Sequence, residues 1–415
     1  MFNAAAWFVD RHLAEGRGAD PAFHHAGGIL TYGGLADLVD RTGRALAALG
    51  VGREDRVLLL CQDSPEFLGS FWGAIKIGAV PVPVNTYLRA EEWLYCLDDS
   101  AAGVVVISAP LVARARDALV RAAHVRHVLV AGEATEPYRS YEEAVQAAEA
   151  GPLVAAPTAR DDPAFWLYSS GSTGAPKAAV HRQRDLAVCS DTFARHVLGL
   201  RREDKVFSAA KLFFAYGLGN GGYFPLGVGA QSVLRPERMT AAAAFDVLVR
   251  HRPTLFFAGP ALYAAMLAME DAPPRESLSS LRLCVSAGEA LPAGIFLRWQ
   301  ERFGVEIIDG IGTTEILHMF LSNRPGAVRP GSSGVPVPGY EAAIVDDAGR
   351  PVARGEIGSL RVKGESIMAG YWNEPEKTKA ILHGDWIETG DKYYQDEDGY
   401  FWYCGRSDDM LKVKG

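Results

Sequence analysis

From about Asp55 to Gly310 the chain alternates short apolar runs with longer amphipathic stretches. A run of a few apolar residues suits a strand buried on both faces, whereas apolar positions three and four apart suit a helix covering such a strand. The pattern predicts strands over 57–61, 104–108, 128–130, 165–168, 206–208, 254–258, 283–286 and 306–308. Between them lie Ala-rich helical segments, among them 42–49, 113–123 and 241–250. So many strands exceed one small sheet, and two packed α/β subdomains with mostly parallel sheets are expected.

Beyond about Ser322 proline and glycine punctuate short alternating runs at 340–345 and 358–362. Asp-Asp-Ala-Gly at 346–349 and Gln-Asp-Glu-Asp-Gly at 395–399 have the composition of hairpin turns. A small β-rich, barrel-like subdomain is expected here, dividing the chain into 1–322, 323–405 and a final stretch 406–415. Residues 133–157, rich in Ala, Glu and Pro, fit a surface connection or peripheral helix, and no internal repeat is visible. The last ten residues follow a strand-like segment at 400–404 and carry neither stop nor cap signal, so a further domain is expected after them.

Composition removes several classes of function. At 48% apolar and 22% charged residues the chain is an ordinary globular protein, and a net charge of −8 leaves no electrostatic footprint for nucleic acid. Five scattered cysteines without a CxxC pair fit free thiols in a reducing compartment. Near the start, Asn3 can cap a helix whose Ala6, Val9 and Leu13 share one face, while Asp10, Arg11 and Glu15 interrupt any signal-peptide core. No apolar run approaches the ~20 residues of a membrane helix. A soluble, cytoplasmic protein is expected, with no nucleic-acid or membrane partner.

Candidate chemistry begins at 168–177, Tyr-Ser-Ser-Gly-Ser-Thr-Gly-Ala-Pro-Lys, which follows the strand 165–168 and precedes a predicted helix. Small residues admit a ligand to the backbone, and hydroxyls, N–H groups and a helix N-terminus all favour a phosphate. The segment fits a phosphate cradle or an ordinary loop. It is not a Walker A loop, because Pro176 and Ala178 flank Lys177. Asp309-Gly-Ile-Gly-Thr-Thr-Glu315 follows the strand 306–308, where open α/β sheets bind ligands. There Thr314 could meet a phosphate and Glu315 a Mg²⁺ ion, or the two could simply start a helix. Thr389-Gly-Asp391 could present a carboxylate to ribose hydroxyls or form a plain turn, and Arg406 fits a ligand contact or a solvated surface charge.

Taken in order, Ser-Ser-Gly-Ser-Thr-Gly-x-Pro-Lys, Gly-Thr-Thr-Glu, Thr-Gly-Asp and Gly-Arg-x-Asp-Asp strongly resemble the adenylate-forming superfamily of acyl-CoA synthetases, luciferases and peptide-synthetase adenylation domains. Lys211-Leu-Phe-Phe-Ala-Tyr-Gly-Leu-Gly-Asn220 and the stretch 310–323 resemble its benzoate-CoA ligase branch. Phe214 stands where many members have histidine, so nothing that depends on that histidine is carried over.

The resemblance implies activation of an aromatic acid by ATP to an acyl-adenylate, then transfer to the thiol of CoA, with Mg²⁺ as cofactor. Benzoate, unsubstituted or bearing a small group such as an ortho-amino, is the implied acid. By the same resemblance Ser169, Ser170, Gly171, Ser172, Thr173, Gly174 and Lys177 would form the pyrophosphate loop. Thr314 would contact the α-phosphate, Glu315 the metal, Asp391 the ribose, and Arg406 the ribose or phosphate side. Gly288, Glu289, Ala290, Asp309, Gly310 and Ile311 would border adenine. Ala215, Tyr216, Gly312, His318 and Met319 would line the aryl group, small residues opening a slot that Tyr216 and Met319 flank. His318, four residues past Thr314 on a predicted helix, would either pack or touch a ring substituent. Asp408 matches the hinge of a C-terminal lid, whose adenylating lysine is expected outside this chain. Two alternatives stay open, a loading domain that passes the aryl group to a carrier-protein phosphopantetheine and a non-catalytic acyl-adenylate binder. A homodimer is compatible with the sequence.

Overall fold

The computed structural model describes residues 1–169 and 175–406. Its largest sheet has nine strands. Pro21–His25, Gln231–Val233, Lys205–Ser208, Leu255–Ala258, Leu283–Ser286 and Ile307–Gly312 run parallel across it. Gly28–Thr31 lies antiparallel at one edge, Met319–Ser322 and Val335–Pro336 at the other. The central strands Leu255–Ala258 and Leu283–Ser286 are buried at every position, which is why they read as continuous apolar runs. Helices Ala241–His251, Pro260–Ala268 and Ala293–Phe303 press Phe245, Tyr263 and Trp299 into a core with this sheet.

The second sheet is wholly parallel, in the order Val80–Pro83, Arg56–Leu60, Val104–Ser108, His127–Ala131 and Arg139–Ser140. Two helices, Tyr32–Ala48 and Pro65–Lys76, contribute apolar faces to a core that takes in residues of both sheets. They cross in close contact, since a Cβ on Gly73 would stand 3.0 Å from Val39 O and 3.0 Å from Gly43 N. The two packed α/β units read from the hydrophobic pattern are therefore present, and the strands Val104–Ser108 and Leu283–Ser286 have the bounds expected. No helix of the described residues is long and apolar enough to cross a membrane.

Three local expectations change. Asn3 Oδ1 does accept from Ala5 N at 3.1 Å and Ala6 N at 3.4 Å, as a cap should. The buried face of that helix, however, is Ala5, Phe8, Val9 and His12, with Leu13 exposed, rather than Ala6, Val9 and Leu13. Phe8 sets the rotation by stacking on Trp72 at 5.2 Å, because an aromatic ring buries more apolar area than a leucine.

Second, the phosphate-cradle segment does not lead into a helix. Pro163–Ser169 and Lys177–Arg182 are antiparallel neighbours, with Ser169 paired to Lys177, so among the described residues Lys177 opens a strand rather than a helix. Burial of Ala178, Ala179 and His181 favours the strand, and the helix begins only at Gln183. Third, Gly370–Tyr371 adds to this hairpin beside Ala179 and Val180, while Val335–Pro336 belongs to the largest sheet.

The remaining sheet of the C-terminal part is antiparallel, built from Glu341–Val345, Gly358–Lys363, Trp386–Gln395, Leu382–His383 and Phe401–Arg406. The 395–399 turn joins its strands as read, with Asp396 N bonded to Tyr400 O at 3.0 Å. The 346–349 turn instead sits in a longer connection, and Glu341–Val345 pairs with Gly358–Lys363 beyond it.

Candidate active site

Ile307–Gly312 begins as a parallel neighbour of Leu283–Ser286 and ends as an antiparallel neighbour of Met319–Ser322. It therefore projects past the carboxyl ends of the parallel strands, where ligands of α/β sheets bind. A Cβ on Gly310 would lie 2.4 Å from Leu321 O, and one on Gly312 would lie 2.6 Å from His318 O. Only glycine permits this ribbon. After it come a short 3-10 turn, Thr314–Ile316, and Leu317 at φ 75°. His318 is thus not on a helix, as the sequence pattern had it, because the left-handed Leu317 turns the chain back into a strand.

Two cavities flank this ribbon. One, of about 280 Å³, is lined by Gly288, Glu289, Ala290, Asp309, Gly310 and Ile311 on one side and by Ser333, Asp391, Tyr393, Tyr403 and Arg406 on the other. Asp391 is neither a turn nor exposed. It sits within the strand Trp386–Gln395, paired directly with Arg406, whose Nη1 is 3.1 Å from its Oδ1. Arg406 is exposed, as a solvated surface charge would be, and it is also tied to this partner. Burial raises the Asp391 carboxyl from its usual range, and the Arg406 charge opposes that shift. Asp309 lies deeper, accepting from Leu291 N at 3.3 Å, and burial pushes it up to about 7.

The other cavity, of about 340 Å³, is lined by Ala210, Phe214, Ala215, Tyr216, Gly259, Ala287, Leu317, His318 and Met319, with Thr314 at its rim. It shares Gly288, Gly312 and Thr313 with the first. Apolar and aromatic surface dominates it. Tyr216 is anchored by its hydroxyl to Val285 O at 3.1 Å. His318 is packed among the rings of Phe193, Tyr216 and Phe224, with Nε2 3.1 Å from Asn220 Oδ1. Burial pushes this histidine down to about 3, so it is neutral at physiological pH. Behind Phe213 and Phe214, Leu212 N donates to buried Asp63 at 2.9 Å, and the same carboxylate faces Lys211 at 3.7 Å. Burial pushes Asp63 up to about 6 against the pull of Lys211.

Glu315 points to a third group of residues. Its Oε1 accepts from Tyr371 OH at 2.6 Å and from Ser169 Oγ at 3.1 Å. Lys177 Nζ stands 4.7 Å from the centroid of that same Tyr371 ring. Thr314 O meets Nε2 of buried His181 at 2.8 Å, and His181 Nδ1 meets Asp185 at 3.0 Å. Among the described residues no cluster of three His, Cys, Asp or Glu could hold a metal. A single carboxylate suits Mg²⁺, which is commonly held by one or two carboxylates together with substrate phosphates and water.

The structure thus brings Ser169, Lys177, Thr314 and Glu315 to one edge, the adenine and ribose candidates to one cavity, and Ala215, Tyr216, Gly312, His318 and Met319 to the other. Ser170, Gly171, Ser172, Thr173, Gly174 and Asp408 lie outside the described residues. Sequence reasoning missed Tyr371, Tyr403, Asn220, Asp63 and His181. Only the last left a local signal, a histidine four residues before an aspartate whose Oδ2 caps Arg182 N at 2.9 Å.

The profile of AMP-binding enzymes matches residues 10–372. The chain belongs to the AMP-binding enzyme family. This AMP-binding enzyme is 49% identical over 416 residues to a benzoate–CoA ligase of Thauera aromatica, a match spanning 100% of this chain and 78% of that protein. A solved benzoate CoA ligase of Burkholderia xenovorans superposes with a TM-score of 0.94 at 45% identity, covering 100% of this chain and 82% of that one. An anthranilate CoA ligase solved with anthranoyl-AMP also gives 0.94, at 42% identity and coverage of 100% and 80%.

Proposed function

We propose that this chain activates an aromatic carboxylic acid, benzoate or a benzoate with a small substituent such as 2-aminobenzoate, and that CoA then receives the aryl group as a thioester. A carboxylate resists nucleophiles because it is negatively charged and oxide is a poor leaving group. Attack of the acid oxygen on the α-phosphorus of ATP releases pyrophosphate and leaves an aryl-adenylate. The CoA sulfur then attacks the acyl carbon, the acyl–O bond to AMP breaks, and AMP departs.

The observation that carries this reading is that the polar cavity holding Asp391 and the apolar cavity holding Tyr216 meet at Gly288, Gly312 and Thr313. A mixed anhydride of an aryl acid and AMP has that division, a nucleotide on one side of the reacting phosphorus and a flat ring on the other. Asp391 would accept the ribose hydroxyls, with Arg406 favouring its charged form. Gly288, Glu289, Ala290 and Ile311 would bracket adenine. Thr314 would donate to the α-phosphate at the junction, and Lys177 with the segment from Ser169 would neutralise the departing pyrophosphate. Glu315 would hold Mg²⁺, which supplies charge neutralisation of the phosphates when bound. Ala215 and Gly312 leave room for a flat ring between Tyr216 and Met319, and neutral His318 would border its substituents.

The test is ATP–pyrophosphate exchange in which benzoate, 2-aminobenzoate and octanoate compete. The aromatic acids are expected to dominate. Preference for octanoate would defeat the pocket assignment, and no exchange with any acid would defeat the chemistry.

A further inference from the structure

Lys177 and Glu315 both contact one tyrosine. The Tyr371 hydroxyl donates to Glu315 Oε1 at 2.6 Å, and the Lys177 ammonium lies over the Tyr371 ring, 4.7 Å from its centroid. Opposite charges gathered around one partly buried side chain attract each other. A direct Lys177–Glu315 pair would neutralise the two groups that the phosphates and the metal require. Among the described residues no such pair forms. The ring face takes the cation and the hydroxyl takes the carboxylate, so one side chain satisfies both charges and keeps them apart.

The backbone around this side chain is held on both sides. Tyr371 is paired with Ala179 across the hairpin, and its N–H donates to Thr378 Oγ1 at 2.9 Å. Next to it the Trp372 ring packs at a tilt against Trp166, centroids 4.5 Å apart, and donates to Asp99 O at 3.1 Å. Such bracing fixes where the hydroxyl points, which an aligning group needs.

We propose that Tyr371 is a positioning residue of the adenylation step, aiming the Glu315 carboxylate at the metal and separating it from Lys177. This rests on the adenylate-forming reading above. Tyr371→Phe keeps the ring that separates the charges and removes the hydroxyl that aims Glu315. Tyr371→Leu removes both.

The deciding measurement is calorimetric ATP affinity of the 1–415 chain with Mg²⁺ and with EDTA, alongside the thermal midpoint. Tyr371→Phe should lower the Mg²⁺-dependent gain in ATP affinity about tenfold, the loss of one hydrogen bond to a charged group, with metal-free affinity and midpoint unchanged. Tyr371→Leu should weaken metal-free binding as well, because Lys177 then turns to Glu315. If wild type shows the Mg²⁺ gain and Tyr371→Phe retains it in full, the aiming role is overturned while the adenylate-forming reading stands. Equal metal-free affinity in Tyr371→Leu and Tyr371→Phe would overturn the separating role. A wild-type chain without any Mg²⁺ gain would overturn the reading and the proposal together.

Discussion

Arg406 and Asp391 face each other across neighbouring antiparallel strands, Nη1 to Oδ1 at 3.1 Å, at the wall of the nucleotide-sized cavity. Burial disfavours the charged form of the Asp391 carboxyl, while the arginine favours it and orients it before a ligand arrives. Asp391→Ala should therefore weaken ATP binding. A hydrogen bond to a charged group is worth roughly 1.5–3 kcal/mol, which puts the loss at about one to two orders of magnitude in the dissociation constant. An unchanged constant would remove Asp391 from ribose binding.

Glu315→Gln keeps the shape of the side chain, and Tyr371 and Ser169 can still donate to its carbonyl oxygen. The fold should survive, with an unaltered thermal midpoint. Metal-dependent turnover should fall roughly a hundred- to a thousandfold, the usual cost of losing one preorganised charge interaction. Magnesium-dependent pyrophosphate exchange measures it, and a wild-type rate would exclude Glu315 from the mechanism.

Ala215 lines the apolar cavity with Tyr216 and Met319. Ala215→Leu adds bulk where a flat ring would lie, and overpacking of this kind costs ~1–3 kcal/mol. Benzoate affinity should drop by about one to two orders of magnitude while ATP affinity stays near wild type. Competition binding of the two ligands separates these outcomes, and intact benzoate binding would show that the aryl ring sits elsewhere.

Asp309 ties stability to pH. Its carboxyl is raised from 3.8 to about 7 by burial. Between those values the folded protein holds a proton that the unfolded chain has released, so stability falls as pH rises through the window and levels off above about 7. Asp309→Asn does not titrate. Its stability should gain on wild type from pH 4 to pH 7 by an amount on the order of 2–4 kcal/mol. Denaturant unfolding of both proteins across that range is the check, and a constant difference would show that Asp309 stays ionised in the fold.

Much of this was legible beforehand where the signal is local. Leu283–Ser286 announced itself because a strand buried on both faces must be largely apolar. The hairpin at Lys177–Arg182 did not, because a short mixed segment such as Lys-Ala-Ala-Val-His-Arg fits a helix start as well as a strand, and only its partner Pro163–Ser169 decides. His318 was misread for the same reason. Four residues after Thr314 is helical spacing, yet the ribbon with Ile307–Gly312 and the left-handed Leu317 override it.

The sequence by itself determined which chemical groups are available: the Ser- and Gly-rich segment before Lys177, the Gly-Thr-Thr-Glu run, the carboxylate of Asp391 and the small residues Ala215 and Gly312. It also determined the alternation of strands and helices, since both follow from residue type and short-range period. Tertiary structure alone decided what meets what. Tyr371 reaches Glu315 across 56 residues, His181 reaches Thr314 across 133, and the two cavities join at Gly288, Gly312 and Thr313. No short-range period encodes such meetings, because they arise from the register of strands and the packing of sheets, which depend on the whole chain at once.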